Sequence, residues 1–173
     1  MLISKCMNFE LRPATENDGW NVYDMLQEMP ADENGFTNTA LGKTPEEFRE
    51  WLRKRVAFSR GEGLENWMVP ESYYWLFVDG VPVGVAKLRH RLTEALREAG
   101  GHIGYGIRPS QRGKRYGNLI LKLLIGKARD MGLDKVLLTC KAHNEASRRT
   151  IEANGGLLER RTEEELYYWI TIK

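Results

Sequence analysis

The stretch that decides the fold is Gly100–Gly132, GGHIGYGIRPSQRGKRYGNLILKLLIGKARDMG. Its first part, His102–Ile107, is rich in β-branched, aromatic and small residues, which predicts a strand beside a ligand. Pro109 ends that strand because it has no N–H to donate to a ladder. From Tyr116 onward the apolar residues recur at helical spacing, which predicts a helix that stops at Gly132. The stretch therefore predicts a strand, a basic turn and an amphipathic helix.

The turn between this strand and helix has the composition of an anion-binding site. A helix N-terminus carries free N–H groups and the positive end of a dipole, and glycines let the backbone approach a ligand. The turn combines three cations with two glycines, namely Arg112, Gly113, Lys114, Arg115 and Gly117. We therefore expect a phosphorylated ligand here. A solvated cationic turn is the simpler alternative, which the coincidence of cations, glycines and a helix start disfavours.

Two familiar phosphate motifs are excluded by spacing. A P-loop needs two glycines five positions apart followed by Lys and Ser or Thr, whereas Gly106 and Gly113 are seven apart. The dinucleotide fingerprint fails because Gly104-x-Gly106 is followed by Pro109 where a third Gly belongs. The turn must therefore bind phosphate in another way.

The turn resembles the acyl-CoA pyrophosphate loop of the GNAT superfamily of N-acyltransferases, whose signature is Gln/Arg-x-x-Gly-x-Gly/Ala. The match runs from Arg112 to Gly117, with Arg115 in place of the middle Gly. We expect Arg115 to keep an ordinary φ, since side chains disfavour positive values. A second family pattern, Asn-x-x-Ala/Ser, resembles Asn144 and Ser147.

The resemblance implies that acetyl-CoA is a cosubstrate and that no metal takes part. The pantetheine arm of acetyl-CoA is expected to lie against the end of the central strand and against Asn144 and Ser147, the residues of the second family pattern. The residues expected at the coenzyme are Ile107, Arg108, Arg112, Gly113, Lys114, Arg115, Tyr116, Gly117, Asn144 and Ser147.

The rest of the chain resembles the same fold. Further strands are predicted over residues 8–12, 73–78, 81–88, 135–140, 157–161 and 166–170, and further helices over 18–29, from 45, over 92–99 and over 144–153. Residues 31–43 are expected to form a loop. We predict an α/β (α+β) GNAT-like fold, with a mixed sheet of about six to seven strands, about four flanking helices and a central parallel strand–helix–strand unit. Residues 1–173 are expected to form a single domain.

The reaction that the resemblance implies needs a neutral amine and donors for the thioester oxygen. His102 is the candidate general base, because its ordinary pKa suits the task and similar sequences carry Glu there. A satisfied surface or rim histidine without a catalytic role is the alternative. Tyr105 and Tyr167 are candidate acids, since Ile151 occupies the position where the family often has a catalytic Tyr. The backbone N–H groups near Ile107 are the candidate oxyanion donors.

Composition narrows the setting of this function. The formal net charge is +2 over 173 residues, so the positive charge is local and no general nucleic-acid surface is indicated. Cys6 and Cys140 are too few for a disulfide framework, which favours the cytoplasm. No apolar run approaches the ~20 residues of a membrane span. The three histidines show no metal-ligand spacing.

We therefore expect an N-acetyltransferase that moves an acetyl group from acetyl-CoA to a primary amine of a small molecule or peptide. A homodimer is left open, and neither nucleic acid nor a membrane is expected as a partner. An acyl-CoA sensor without turnover is the second hypothesis, and a nucleic-acid-binding domain the third. Residues that could hold a cationic amine, or could simply be solvated, are Asp24, Glu28, Asp32 and Glu33.

Overall fold

The computed structural model describes residues 7–33 and 36–173. Cys6 lies outside the described residues. Along the described residues the strands are β1 Phe9–Pro13, β2 Asp32–Glu33, β3 Phe36–Thr37, β4 Glu71–Val78, β5 Val81–Arg89, β6 Ile103–Ile107, β7 Lys135–Lys141, β8 Leu157–Arg161 and β9 Glu165–Thr171. The helices are α1 Trp20–Glu28, α2 Pro45–Ser59, α3 Glu94–Glu98, α4 Tyr116–Asp130 and α5 Glu145–Ala153. The predicted mixed α/β fold is confirmed.

The strands form two main sheets whose edges meet at β6 and β7. One sheet has the order β1-β4-β5-β6 and the other the order β7-β9-β8, with antiparallel pairing in each. The sequence predicted a parallel unit of β6, α4 and β7. The helix connects the two strands as expected, but the strands share no ladder. They are joined instead at one point, where the His102 N–H donates to the Leu137 carbonyl at 2.7 Å.

Local turn chemistry explains the surrounding elements. Asp79 and Gly80 both have positive φ, 47° and 80°, as the two-residue hairpin turn between β4 and β5 requires. Thr44 and Glu47 form the capping box of α2, with the Glu47 N–H donating to Thr44 Oγ1 at 3.3 Å. Helix α1 has no such capping box. Its N-cap is Gly19, and no side chain caps it.

The segment between α1 and α2 is more ordered than a loop. The short strands β2 and β3 pair as a hairpin inside the stretch predicted to be irregular. Asn38 is buried behind it and donates to the carbonyls of Leu26 and Met29 at 2.7 and 3.1 Å. Two-residue strands leave too short a pattern for hydrophobic periodicity to detect. The hairpin lies against β6, as contacts between β3 and β6 show.

Two hydrophobic clusters cover the two faces of the first sheet. On one face α4 packs its buried residues, Ile120, Leu121 and Leu124 among them, against β4, β5 and the second sheet. On the other face α1 and α2 pack through residues such as Leu52 against Trp75. The two clusters lie on opposite faces of the first sheet, so a ligand at the edge between β6 and β7 can contact residues of both clusters.

Candidate active site

The gap between β6 and β7 begins at His102. Its ring nitrogen Nδ1 accepts the backbone N–H of Leu137 at 2.9 Å, in the position where a neighbouring strand would supply a carbonyl. Gly101 comes equally close to β7, because a Cβ there would lie 2.4 Å from the Leu137 carbonyl oxygen. Beyond this junction the two strands share no further ladder. The sheet is therefore open where the central strand ends.

The open edge of β6 presents backbone groups. On the side of β6 that faces β5, the backbone N–H of Arg89 donates to the His102 carbonyl and the backbone N–H of Arg108 donates to the Val83 carbonyl, each at 2.8 Å. Antiparallel pairing alternates, so the backbone of Gly104 and Gly106 faces β5 while that of Tyr105 and Ile107 faces away from it. The N–H groups of Tyr105 and Ile107 can therefore meet a ligand in the gap.

The gap leads into a cavity of about 700 Å³. Its walls come from β6 on one side and from β7 and α5 on the other, including Leu138 and Thr139 of β7. The start of α4 closes one end, Lys87 and Arg89 of β5 close the other, and residues of the β2–β3 hairpin line the cavity as well. A volume of this size suits a small ligand or a section of a larger one.

The end formed by α4 is a row of free backbone donors. Among the described residues, none accepts a hydrogen bond from the backbone N–H groups of residues 113–117. Gly113 has φ 78° and Arg115 has φ 62°, so the chain curls into a concave turn before the helix. Successive N–H groups in such a turn form an anion-binding concavity, which the helix dipole reinforces.

The expectation that Arg115 keeps an ordinary φ is wrong. Its φ of 62° and ψ of 18° place it in the left-handed region that Gly occupies most easily. The backbone thus retains the conformation that the Gly of the family signature would adopt. Because Arg115 carries a side chain, its backbone is strained in this conformation. That strain is of the order of 1 kcal/mol.

Arg115→Gly should therefore raise the free energy of unfolding by up to about 1 kcal/mol and leave the affinity for acetyl-CoA within a few-fold of wild type. The gain is limited because Gly also increases the entropy of the unfolded chain. Thermal denaturation and calorimetry with acetyl-CoA measure the two quantities. A loss of stability would show that the Arg115 side chain contributes more than its backbone strain costs.

The loop cations are engaged with protein groups as well as with the cavity. The Arg112 guanidinium pairs with Glu33, at 3.0 Å for one of its two contacts, and its Nε donates to the Ile107 carbonyl at 3.1 Å. Lys114 donates to Gln111 at 2.9 Å. Arg112 therefore ties the loop both to the end of β6 and to the β2–β3 hairpin.

Arg108 is bound in a similar way. It pairs with Glu28, whose second carboxylate oxygen accepts the Ser110 N–H at 2.7 Å. Burial acts to raise the pKa of Glu28, but hydrogen bonds from Arg108 and Ser110 outweigh it and hold the pKa at about 2. Arg108 and Lys114 do not line the cavity. Of the ten residues predicted at the coenzyme, eight line it: Ile107, Arg112, Gly113, Arg115, Tyr116, Gly117, Asn144 and Ser147.

Tyr105 is the candidate catalytic residue that the structure brings into this cavity. Its hydroxyl lies 3.2 Å from Ser147 Oγ, on the first turn of α5. Burial raises the pKa of Tyr105, and hydrogen bonds to Ser147 and Thr150 oppose that only in part. Asn144 caps α5 by accepting the Ser147 N–H at 3.1 Å, which leaves its side-chain NH₂ to donate to a ligand.

His102 occupies a different place from the one that a general base needs. It is 6% exposed, it does not line the cavity, and its Nδ1 is taken by the Leu137 N–H. Burial, with the charges of Arg97 and Arg89, lowers the pKa of His102 to about 4. The ring therefore joins the two sheets, and the geometry does not support the base hypothesis. Only the long-range contact with Leu137 reveals this, and no sequence pattern signals it.

The lowered pKa of His102 predicts a pH effect on stability. Between its ordinary pKa of 6.5 and about 4, the unfolded chain binds the proton that the folded chain excludes. Protonation of His102 should thus lower the free energy of unfolding by about 3 kcal/mol as the pH drops from 7 to 4. His102→Asn keeps an acceptor for Leu137 but cannot titrate, so its decline should be smaller by that amount.

Urea denaturation of both proteins at several pH values measures the difference. If His102 were the base, His102→Asn would abolish amine acetylation, whereas the structural role predicts activity within a few-fold of wild type. Parallel declines in the two proteins would contradict the pKa assignment.

The remaining candidates are outside the reacting region or are engaged. Cys140 is buried and does not line the cavity, and burial raises its pKa to about 11, which makes its thiol unreactive. The Tyr167 hydroxyl donates to the Glu98 carbonyl at 2.7 Å, away from the cavity. Of the carboxylates considered for an amine, Glu33 alone lines the cavity.

Several cavity residues escaped sequence reasoning. Lys87 lies within an unremarkable strand, and Phe36 lies inside the stretch, residues 31–43, that was predicted to be a loop. Thr150 faces Tyr105 one turn after Ser147, a spacing that could have been noticed. Across residues 7–33 and 36–173, no group of three or more His, Cys, Asp or Glu side chains could hold a metal. In the same ranges no helix has the length and apolarity of a membrane span.

A family comparison agrees with this fold. The model of the GNAT acetyltransferase domain matches residues 8–156, which is most of the chain. The chain belongs to the GNAT acetyltransferase family, whose members transfer an acetyl group from acetyl-CoA to an amine. The predicted family and enzyme class are thus confirmed. A search of curated protein sequences gives no significant match.

Solved structures agree on the fold. RimL, a ribosomal alpha-N-protein acetyltransferase in complex with coenzyme A, is 19% identical with a TM-score of 0.70, over 95% of this chain and 94% of that chain. An acetyltransferase from Salmonella typhimurium that modifies the N-terminal serine of a 50S ribosomal subunit protein is 19% identical, with a TM-score of 0.66 and 95% of each chain covered.

A third similar structure is the N-acetyltransferase PseH from Campylobacter jejuni in complex with acetyl coenzyme A. It is 12% identical, with a TM-score of 0.63, over 96% of this chain and 100% of that chain. At these identities the similarity establishes the shared fold and leaves the acceptor to be argued from this chain.

Proposed function

We propose that this protein acetylates a primary amine of a small molecule or peptide, with acetyl-CoA bound along the cavity. The diphosphate binds the free N–H groups of residues 113–117, and the pantetheine arm follows the open edge of β6 toward Asn144. The thioester then lies in the gap between β6 and β7, with Tyr105 beside it. The single observation that carries the proposal is the row of five free donors at one end of a cavity that opens into the sheet.

The chain's own groups supply what the transfer requires. The backbone N–H of Tyr105, which faces the gap, donates to the carbonyl oxygen as negative charge develops on it. The Tyr105 hydroxyl donates a proton to the departing thiolate. Its raised pKa keeps it protonated near neutral pH, as an acid must be before the reaction.

The acceptor enters from the end formed by Met29, Phe36 and Lys87. Glu33 and Glu165 are the carboxylates that line the cavity, and either can accept the proton that the amine must lose. Similar structures fit both acceptor kinds, since one modifies a protein N-terminus and another is a nucleotide-linked sugar GNAT.

A single domain over residues 1–173 and a cytoplasmic location stay predictions.

Two measurements on the purified full chain test the proposal. Calorimetry should show acetyl-CoA binding that weakens when the coenzyme is shortened to S-acetylpantetheine, because the shorter molecule lacks the diphosphate. Release of free thiol on a panel of primary amines should depend on the amine. Binding without amine-dependent thiol release would favour the sensor hypothesis, and the absence of binding would contradict the proposed site.

A further inference from the structure

Lys87 is a buried ammonium group inside the cavity. It lies on β5 opposite Gly104, is 9% exposed, and lines the end of the cavity away from α4. Its Nζ lies 4.9 Å from the centre of the Phe36 ring. That contact between a cation and an aromatic ring compensates a buried charge only in part. No described residue forms a hydrogen bond or ion pair with Nζ.

The carboxylates that line the cavity or act on the charge of Lys87 are each engaged elsewhere. Glu71 pairs with Arg89 at 3.1 Å, Glu33 pairs with Arg112, and Glu165 pairs with Lys141 at 2.5 Å. Asp32 accepts from the Thr37 hydroxyl at 3.1 Å and does not line the cavity. Each cavity-lining acid thus has a basic partner, while Lys87 has none among the described residues.

The surrounding charges increase this imbalance. Burial, followed by the positive charges of Arg89 and Arg55, lowers the pKa of Lys87, and Glu71 and Asp32 oppose that effect. Removing an ammonium from water without a counter-ion is costly, and buried charges are normally paired. A ligand that brings an anionic group would complete the pair.

We propose that Lys87 binds an anionic group of the acceptor, so that the preferred acceptors are primary amines that also carry a carboxylate or phosphate. This inference rests on the proposed function, because it concerns the acceptor end of the same cavity. The ammonium of Lys87 attracts the anionic end of the acceptor and repels its amine. The amine is therefore directed away from Lys87, toward the opening between β6 and β7.

The glycines of β6 leave room for this arrangement. A Cβ at Gly104 would lie 3.0 Å from the Lys87 side chain, and one at Gly106 would lie 2.7 Å from the Met29 side chain. Larger residues at these two positions would press on Lys87 and narrow the passage between it and the gap. Both glycines are therefore consistent with an acceptor that extends along this face of β6.

The test compares matched acceptors that differ only in charge. The probes are β-alanine with β-alaninamide, and phosphoethanolamine with ethanolamine, each followed by thiol release at saturating acetyl-CoA. Wild type should prefer the anionic member of at least one pair by about 10- to 100-fold in kcat/KM. The pair that shows the preference distinguishes a carboxylate from a phosphate as the bound group.

Lys87→Met should remove that preference, so that the anionic and neutral members of each pair react with equal kcat/KM. Lys87→Arg should restore part of it, because it retains the charge. Lys127→Met is the matched control, since Lys127 also lies over an aromatic ring, 5.9 Å from the centre of Tyr74, but outside the cavity. The Lys127→Met variant should prefer the anionic over the neutral acceptor to the same degree as wild type. Equal rates for both members of each pair in wild type would overturn the assignment.

The failure of the proposed function looks different. If acetyl-CoA is not bound, or if no probe releases thiol, the proposed function is contradicted. The Lys87 assignment is then decided by calorimetry with the anion N-acetyl-β-alanine. Wild type should bind it about 10- to 100-fold more tightly than Lys87→Met does, and equal affinities would overturn the assignment. A far-UV circular dichroism spectrum and a thermal unfolding transition that match those of wild type show that the Lys87→Met variant is folded.

Discussion

Replacing Tyr105 with Phe should lower kcat for amine acetylation about 100-fold, with little change in the KM for acetyl-CoA. The variant removes one oxygen atom, which lies 3.2 Å from Ser147 in the wall of the cavity. Positioned acids contribute roughly 10²- to 10⁴-fold to rates. The lower value is expected, because a thiolate leaves more easily than a stronger base.

A matched control is present in the same chain. The Tyr167 hydroxyl binds the Glu98 carbonyl outside the cavity, so Tyr167→Phe should leave kcat within about two-fold of wild type. Steady-state kinetics on both variants measure the contrast. Because burial raises the pKa of Tyr105, wild-type kcat should not decline on the alkaline side until the pH exceeds the ordinary value of 10. Equal kcat values for the two variants would rule out Tyr105 as the acid.

Replacing Gly101 with Ala should lower the free energy of unfolding by about 3 kcal/mol, and Tm by about 6–12 °C. Gly101 has φ 60°, which costs an L-residue about 1–2 kcal/mol. The added Cβ would also lie 2.4 Å from the Leu137 carbonyl oxygen and 2.9 Å from its carbon. These are main-chain atoms of β7, so they cannot move without shifting the strand.

Gly126→Ala provides the comparison. Gly126 lies inside α4, and a Cβ there would meet nothing within 4 Å. The substitution should raise stability by about 0.5–1 kcal/mol, since Ala favours a helix over Gly. Urea denaturation measures both variants. A Gly101→Ala protein as stable as wild type would show that β7 can separate from the Gly101–His102 junction freely, against the joined edges described above.

Local sequence patterns predicted the elements that local forces specify. The apolar repeat of α4 and the start of α2 near residue 45 depend on residues close in the chain, and the structure has both helices. The loop before α4 was found because its glycines, its cations and the helix start are contiguous. Its pattern also led to the family, which the comparison confirmed.

The features that sequence reasoning missed depend on contacts between distant residues. A histidine has an ordinary pKa that suits a general base, but the role of His102 is set by its hydrogen bond with Leu137, which is 35 positions away. Arg115 adopts a positive φ that no local rule assigns to an arginine. Lys87 looks like one polar residue in a strand, and only the pairing of both cavity-lining carboxylates, Glu33 and Glu165, with other cations makes it distinctive.

A crystal structure of the full chain with acetyl-CoA tests the central claim most directly. We predict that the diphosphate accepts hydrogen bonds from the backbone N–H groups of residues 113–117. We also predict that the thioester carbonyl lies between β6 and β7, within reach of the Tyr105 N–H. A diphosphate bound at any other surface, or a thioester outside that gap, would contradict the account.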